Sequence, residues 1–172
     1  LLGTLEILAE NESDPARRVA LLRKVARVAA DNLEDLAKAL DAQARALRED
    51  PAGVEALAEL EAFAQQAQAW DQLEQILSGI AESLDDPQLA RSYWMRLASI
   101  DERLGKVDEA AQRYAKVLDI DASDQEALAS MDALYQRTER WEDLIGVFRR
   151  RIDLAEEFAA REELYAQMAT VY

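Results

Sequence analysis

The sequence predicts an all-α solenoid of stacked antiparallel helical hairpins, and three observations carry the prediction. Apolar residues recur at helical spacing along almost the whole chain, with only short breaks between runs. Five Gly and three Pro in 172 residues are too few for a chain of many strands and tight turns. The third observation is internal self-similarity. Ala69-Trp70-Asp71-Gln72-Leu73 and Arg140-Trp141-Glu142-Asp143-Leu144 lie 71 residues apart, as do Asp35-Leu36-Ala37-Lys38-Ala39 and Lys106-Val107-Asp108-Glu109-Ala110. Interleaving them places equivalent slots at Ala39, Leu73, Ala110 and Leu144, in steps of 34, 37 and 34. Leu57, Trp94, Leu128 and Tyr165, in the preceding helices, step by 37, 34 and 37. The unit is a helical pair of about 34–37 residues, and two pairs make a super-repeat.

The elements follow in order. The amphipathic run Leu1-Leu2-Gly3-Thr4-Leu5-Glu6-Ile7-Leu8 opens a helix over 1–12. Asp14-Pro15 supplies a capping carboxylate and then a Pro suited to the first helical position, opening 15–32. A helix over 35–49 stops at Asp50-Pro51-Ala52-Gly53, and helical spacing resumes over 53–68 and 70–84. Asp86-Pro87 repeats the earlier start and opens 87–104, which Leu104-Gly105-Lys106 closes. A helix over 107–120 precedes Ser123-Asp124-Gln125-Glu126, which has the form of a capping box and starts 124–138. Apolar spacing then marks 141–155 and 158–172. Helices this short, each with one apolar stripe, must stack on their neighbours, and the short links force antiparallel packing. No composition shift marks a domain boundary. The expected units are 1–14 (partial), 15–52, 53–86, 87–122, 123–157 and 158–172 (partial) in one array over 1–172. The chain begins and ends inside amphipathic runs, so it is expected to be a fragment of a longer protein, with any targeting signal outside it. The expected compartment is the cytoplasm, the periplasm staying open for the same reason.

Composition narrows the function classes. A formal charge of −15 and a pI of about 4.4 repel phosphate backbones, so nucleic acid is not an expected partner; a basic protein surface is. No apolar run reaches the eighteen or so residues a membrane span needs. The chain has no Cys and no His, which removes disulfides, the usual zinc sites, haem ligation through those residues and every Ser-His or Cys-His pair. No catalytic, cofactor-binding or metal-ligating residue is assigned. Asp119-x-Asp121-x-x-Asp124 lacks the turn Gly and closing Glu of a calcium loop and reads as an inter-repeat turn. Asn11-Glu12-Ser13 matches the short glycosylation triplet. Trp70, Trp94 and Trp141 occupy repeat-equivalent or interhelical slots and are expected in the core. Arg149-Arg150-Arg151, late in a helix, complements the helix dipole and covers apolar surface. Between Glu49 and Ala90 there is no Lys or Arg, which makes that stretch an acidic face able to steer a basic partner or to aid solubility.

Trp94-x-x-Leu97-Ala98, Gly105, Ala110-x-x-x-Tyr114 and Val117-Leu118 resemble the signature of the tetratricopeptide repeat, whose period is 34 residues. Tyr165-x-x-Met168-Ala169-x-x-Tyr172 is similar to its first-helix half, and Ala46-Leu47-Arg48-Glu49-Asp50-Pro51 to its usual ending. Large Trp94 and Tyr114 would fill the gap between helices, while small Ala98 and Ala110 let backbones approach. The close-packing slot of Ala26, Ala98 and Ala169 holds Glu61 and Asp132 in the alternate units, which are expected to turn so that the acid reaches solvent. The Arg140-Trp141-Glu142-Asp143-Leu144 motif and the excess of Arg over Lys resemble large bacterial scaffold proteins.

The resemblance implies a right-handed superhelix whose first helices line a concave groove for a peptide or helix of a partner protein. By slot, that groove comprises Arg23, Arg27, Ala58, Ala62, Met95, Ser99, Ala129, Ala133, Ala166 and Thr170. The function implied is a non-enzymatic interaction scaffold. The alternatives are a self-associating structural module and a regulatory repeat domain attached to an enzyme elsewhere in the full-length chain.

Overall fold

A computed structural model describes residues 1–170, and among them the chain forms ten helices. The sequence-predicted helix over 158–172 ends in residues outside that range, as does Tyr172 of the last signature. The chain divides into two compact units, Leu1–Asp85 and Asp86–Tyr172. The first holds α1 (Leu2–Asn11), α2 (Pro15–Leu33), α3 (Leu36–Glu49), α4 (Val54–Ala67) and α5 (Trp70–Ser83). The second holds α6 (Pro87–Arg103), α7 (Val107–Ile120), α8 (Gln125–Arg137), α9 (Trp141–Leu154) and α10 (Phe158–Ala169). Within each unit every helix packs on the next in sequence. No helix among the described residues is long and apolar enough to cross a membrane.

The starts are set by side-chain caps where the sequence placed carboxylates. Asp14 and Asp86 each accept two backbone N–H groups of the first turn, with Pro15 and Pro87 at the first helical position. The cap of α8 is Asp124, which accepts the Ala127 N–H, and not the preceding serine. Ser123 instead donates its N–H and hydroxyl to Asp121, closing a turn. The same two carboxylates account for the calcium-like spacing, and no cluster of three metal-ligating side chains occurs among the described residues.

Every turn from a first helix to its second contains one residue in the left-handed region: Glu34, Gln68, Gly105 and Glu139, with φ of 54°, 53°, 74° and 56°. In the last three turns the following residue donates its N–H to the carbonyl five back: Ala69 to Ala64, Lys106 to Asp101 and Arg140 to Tyr135. These four positions keep the alternating step of 34, 37 and 34, so the repeat is a repeat of turn geometry. Only one of them is glycine.

The core follows the same step. Ala39, Leu73, Ala110 and Leu144 are each fully buried, as are the close-packing Ala26 and Ala98. Trp94 and Tyr114 fill interhelical space at 5% and 4% exposure. A fully buried Leu such as Leu40, Leu60 or Leu134 contributes about 1.5–3 kcal/mol over an exposed one, so a few define each unit. Trp141 departs from expectation. It stands at the first position of α9, where nothing covers its outer face, and is 46% exposed. Tyr165 and Ala169, at core-type slots, are also exposed, because α10 buries only Leu164. Asp132 is mostly buried rather than turned out to solvent as expected, and its carboxylate is compensated by Arg151 of α9 at 3.1 Å and by the Gln136 amide at 2.7 Å.

Candidate functional site

In the first unit, α2 and α4 are the first helices. Arg23 and Arg27 lie one turn apart on α2, and Glu55, Ala58, Glu59 and Ala62 form one face of α4 by their i, i+3, i+4 and i+7 spacing. Glu59 joins the two helices. Arg23 donates to both of its oxygens, Nε to Oε2 at 3.2 Å and Nη2 to Oε1 at 3.1 Å, and reaches Glu55 at 2.9 Å. Arg27 donates to Glu59 Oε1 from Nε at 3.0 Å and also from Nη2. From beneath, the fully buried Gln43 of α3 donates its amide to Glu59 Oε2 at 3.0 Å and to the Ala56 carbonyl at 2.8 Å. Partial burial pushes the Glu59 carboxyl up, but the hydrogen bonds from Arg23 and Arg27 outweigh it and hold it below its ordinary value. The hydrogen bond to Glu59 in turn raises Arg23.

The two arginines expected to face a partner are therefore engaged within the unit, and part of the acidic stretch after Glu49 is neutralised by them. Ala58 and Ala62 remain exposed beside this network.

In the second unit the same slots carry different chemistry. Met95 and Ser99 of α6 replace the arginines; Met95 is half-buried and Ser99 exposed. Ala129 and Ala133 of α8 are exposed, like their counterparts 71 residues earlier. Tyr114 stands at the slot of Gln43, and its hydroxyl donates to Glu102 at 2.5 Å, with Arg137 of α8 on the other Glu102 oxygen at 2.7 Å. Burial first, then the Glu102 bond, push the Tyr114 hydroxyl far above its usual value, while its contact with Ser130, at the slot of Glu59, opposes this. The helix starts are tied by Arg91, which donates to Asp124 at 2.5 and 3.1 Å and to Glu126 at 2.7 Å. Ala166 and Thr170 are exposed on α10 and at its C-terminal cap, where the Thr170 hydroxyl donates to the Gln167 carbonyl at 2.6 Å.

The second helices are joined in the same way. Arg140 bridges to Asp108 of α7 and to Asp143, and Arg150 donates to the Leu118 carbonyl at 3.2 Å. The arginine run of α9 thus does more than oppose a dipole: Arg150 and Arg151 both reach neighbouring helices, while Arg149 is exposed. These ties were not found in the sequence. Their signal was present, as Arg and carboxylate 32–36 residues apart, one repeat in length.

The fold has solved counterparts. A tetratricopeptide repeat protein from Parabacteroides merdae is similar at a TM-score of 0.50 and 17% identity, over 89% of this chain and 59% of that one. The chain has the tetratricopeptide-repeat fold. BtubC from P. vanneervenii is also similar, at a TM-score of 0.49 and 17% identity, over 94% of this chain and 66% of that one. The chain thus spans 59% and 66% of the lengths of these two neighbours. No protein-family model and no curated protein sequence matches it.

Proposed function

We propose that the chain is a non-catalytic protein-interaction module that holds a peptide or helix of a partner protein against the exposed face of its first helices, within a larger bacterial assembly. Ala58 and Ala62 in one unit and Ala129 and Ala133 in the other support this reading: all four are exposed at matching slots. Small side chains on adjacent first helices let a partner backbone approach closely, and the arginine–carboxylate ties hold those helices in place beforehand. Within the second unit, Met95 and Ser99 of α6 and Ala166 and Thr170 of α10 occupy the same slots. Arg23 and Arg27 border the face through their bridges to Glu59. At long range a formal charge of −15 favours a basic segment. Repeats are read at 15–52 and 53–86, and at 87–122 and 123–157.

A photoreactive phenylalanine analogue placed at Ala62 or Ala133 tests the face. Partner crosslinks from cell extract are expected to exceed those from the same analogue at Gln75 or Lys116, exposed positions on second helices. Equal yields from both sets would remove the first-helix face from consideration. A second reading, self-association, is favoured by Phe158 and Tyr165, which are 74% and 54% exposed on α10. Sedimentation at rising concentration tests it; an unchanging monomer mass rejects it.

A further inference from the structure

Against the strongly acidic whole, one depression is lined by cations. It lies in the first unit between α1, α2 and α3, has a volume of about 510 Å³ and is floored by Ala9 and Leu22. Both floor residues belong to the buried core, so the floor is apolar. Arg18 enters from α2, and Arg45 and Arg48 enter from one face of the last turns of α3. Arg18 has a partner, since its Nε lies 3.5 Å from Glu49 Oε1. Among the described residues, no hydrogen bond or ion pair holds Arg45 or Arg48. Arg48 is exposed but Arg45 is half-buried, and other half-buried arginines are matched: Arg23, Arg91 and Arg151 each meet a carboxylate. A half-buried guanidinium without a partner has lost part of its hydration and gained nothing in return. With Glu10 and Glu49 at the rim, the lining carries a net single positive charge.

We propose that this depression docks an acidic segment of a partner protein. Carboxylates of that segment take paired hydrogen bonds from Arg45 and Arg48, whose planar forks suit them. A short acidic segment is favoured over nucleic acid, whose regularly spaced phosphates would also face Glu10 and Glu49 at the rim. Screening confines the acidic remainder to about 10 Å at 0.1 M salt, so the local guanidinium groups dominate at contact. The surface is separate from the first-helix face, and its failure leaves that reading standing.

The test is selection of a displayed library of random dodecapeptides on the full chain and, in parallel, on the Arg45→Gln/Arg48→Gln variant. Neither arginine has an internal partner, so both proteins are expected to melt alike. Wild-type selection enriches Asp and Glu, and variant selection does not. The most enriched peptide, measured by fluorescence anisotropy, loses about tenfold or more in affinity on the double variant, as expected for losing charged hydrogen bonds. Binding to an Arg149→Gln control is unchanged. The proposal is overturned by a pool without acidic enrichment or by equal enrichment on the variant. It is also overturned if a short DNA duplex binds as tightly through the same two arginines, which would make this a general polyanion patch.

Discussion

Asp124 has two roles at the start of α8, and substitution separates them. Its Oδ1 accepts the Ala127 N–H at 2.9 Å and caps the helix. Its two oxygens also receive Arg91 of α6, at 2.5 and 3.1 Å. The carboxylate is 7% exposed, while Arg91 is 26% exposed and also holds Glu126. Asp124→Ala removes both roles. Loss of the cap costs about 1 kcal/mol. Loss of a charge-assisted hydrogen bond to an arginine that keeps a second partner and some water costs about 1.5 kcal/mol more. The expected total is roughly 2.5 kcal/mol. Asp124→Asn keeps a side-chain oxygen able to cap, and Asn caps as well as Asp, so only the roughly 1.5 kcal/mol of the charged pair is lost. Glu126→Gln touches a 66% exposed carboxylate and costs under about 0.5 kcal/mol. Urea unfolding followed by far-UV circular dichroism measures all three, with midpoints converted through the common slope. If Asn costs as much as Ala, the capping contribution is refuted. If neither costs more than Glu126→Gln, the pair does not tie α6 to α8.

Three further outcomes follow from the same structure. The Arg91 hydrogen bond holds Asp124 below its ordinary value, and Arg23 and Arg27, overcoming burial, do the same for Glu59. Their contribution is complete above the unfolded-state range near pH 4 and is lost as pH falls through the lower folded values. The urea midpoint should stay level down to about pH 5 and fall below about pH 4, less steeply in Asp124→Asn; a fall starting near neutrality contradicts the assignment. Gln68→Gly and Glu139→Gly relieve left-handed strain and should stabilise by about 0.5 kcal/mol, whereas Gly105→Ala at the equivalent slot should destabilise by about 1 kcal/mol. The same sign for all three substitutions in thermal melts would refute the shared turn geometry. Trp94, buried with the Arg113 guanidinium 5.6 Å from its ring centre, should cost about 3–5 kcal/mol as Trp94→Ala. Iodide quenching should fall sharply in Trp141→Phe and little in Trp94→Phe; the reverse pattern rejects the burial assignment.

The helices and their order were legible because each depends on local signals: apolar spacing, Asp-Pro starts and short links. The period was legible because Ala39, Leu73, Ala110 and Leu144 are sealed core positions whose size is constrained. The turns were half-legible. Gly105 announces its left-handed conformation, but Glu34, Gln68 and Glu139 adopt the same conformation without any residue preference to betray it. The closing bond to the carbonyl behind, together with packing on both sides, offsets a strain of about 1 kcal/mol, so tertiary context chose the conformation. Trp141 was misread because its slot sits in the repeat pattern but at the first position of a helix, where one face stays in water. The candidate face was legible only as a set of slots. That Arg23 and Arg27 turn inward to Glu59 was present in the sequence only as a spacing of one repeat, since pairing at that distance depends on the repeat rise.

The polar ties also make the repeats unequal. The apolar slots of alternate pairs are nearly interchangeable, Ala for Ala and Leu for Leu at 71-residue spacing, so apolar packing alone would tolerate a pair stacked against the wrong neighbour. The polar slots do not allow this. Gln43 meets Glu59 and the Ala56 carbonyl, whereas Tyr114 at the equivalent slot meets Glu102 and Ser130. Arg23 finds Glu59 at mid-helix, whereas Arg91 finds Asp124 at the helix start. Placing α8 against α3 would set Ser130 in place of Glu59, leaving the Gln43 amide and two arginines without their carboxylate. A buried donor stripped of its acceptor costs about 1–3 kcal/mol, enough to disfavour the wrong neighbour by about fivefold to more than a hundredfold. Apolar spacing therefore decides that the helices stack, and the unlike polar pairs decide which helix stacks on which.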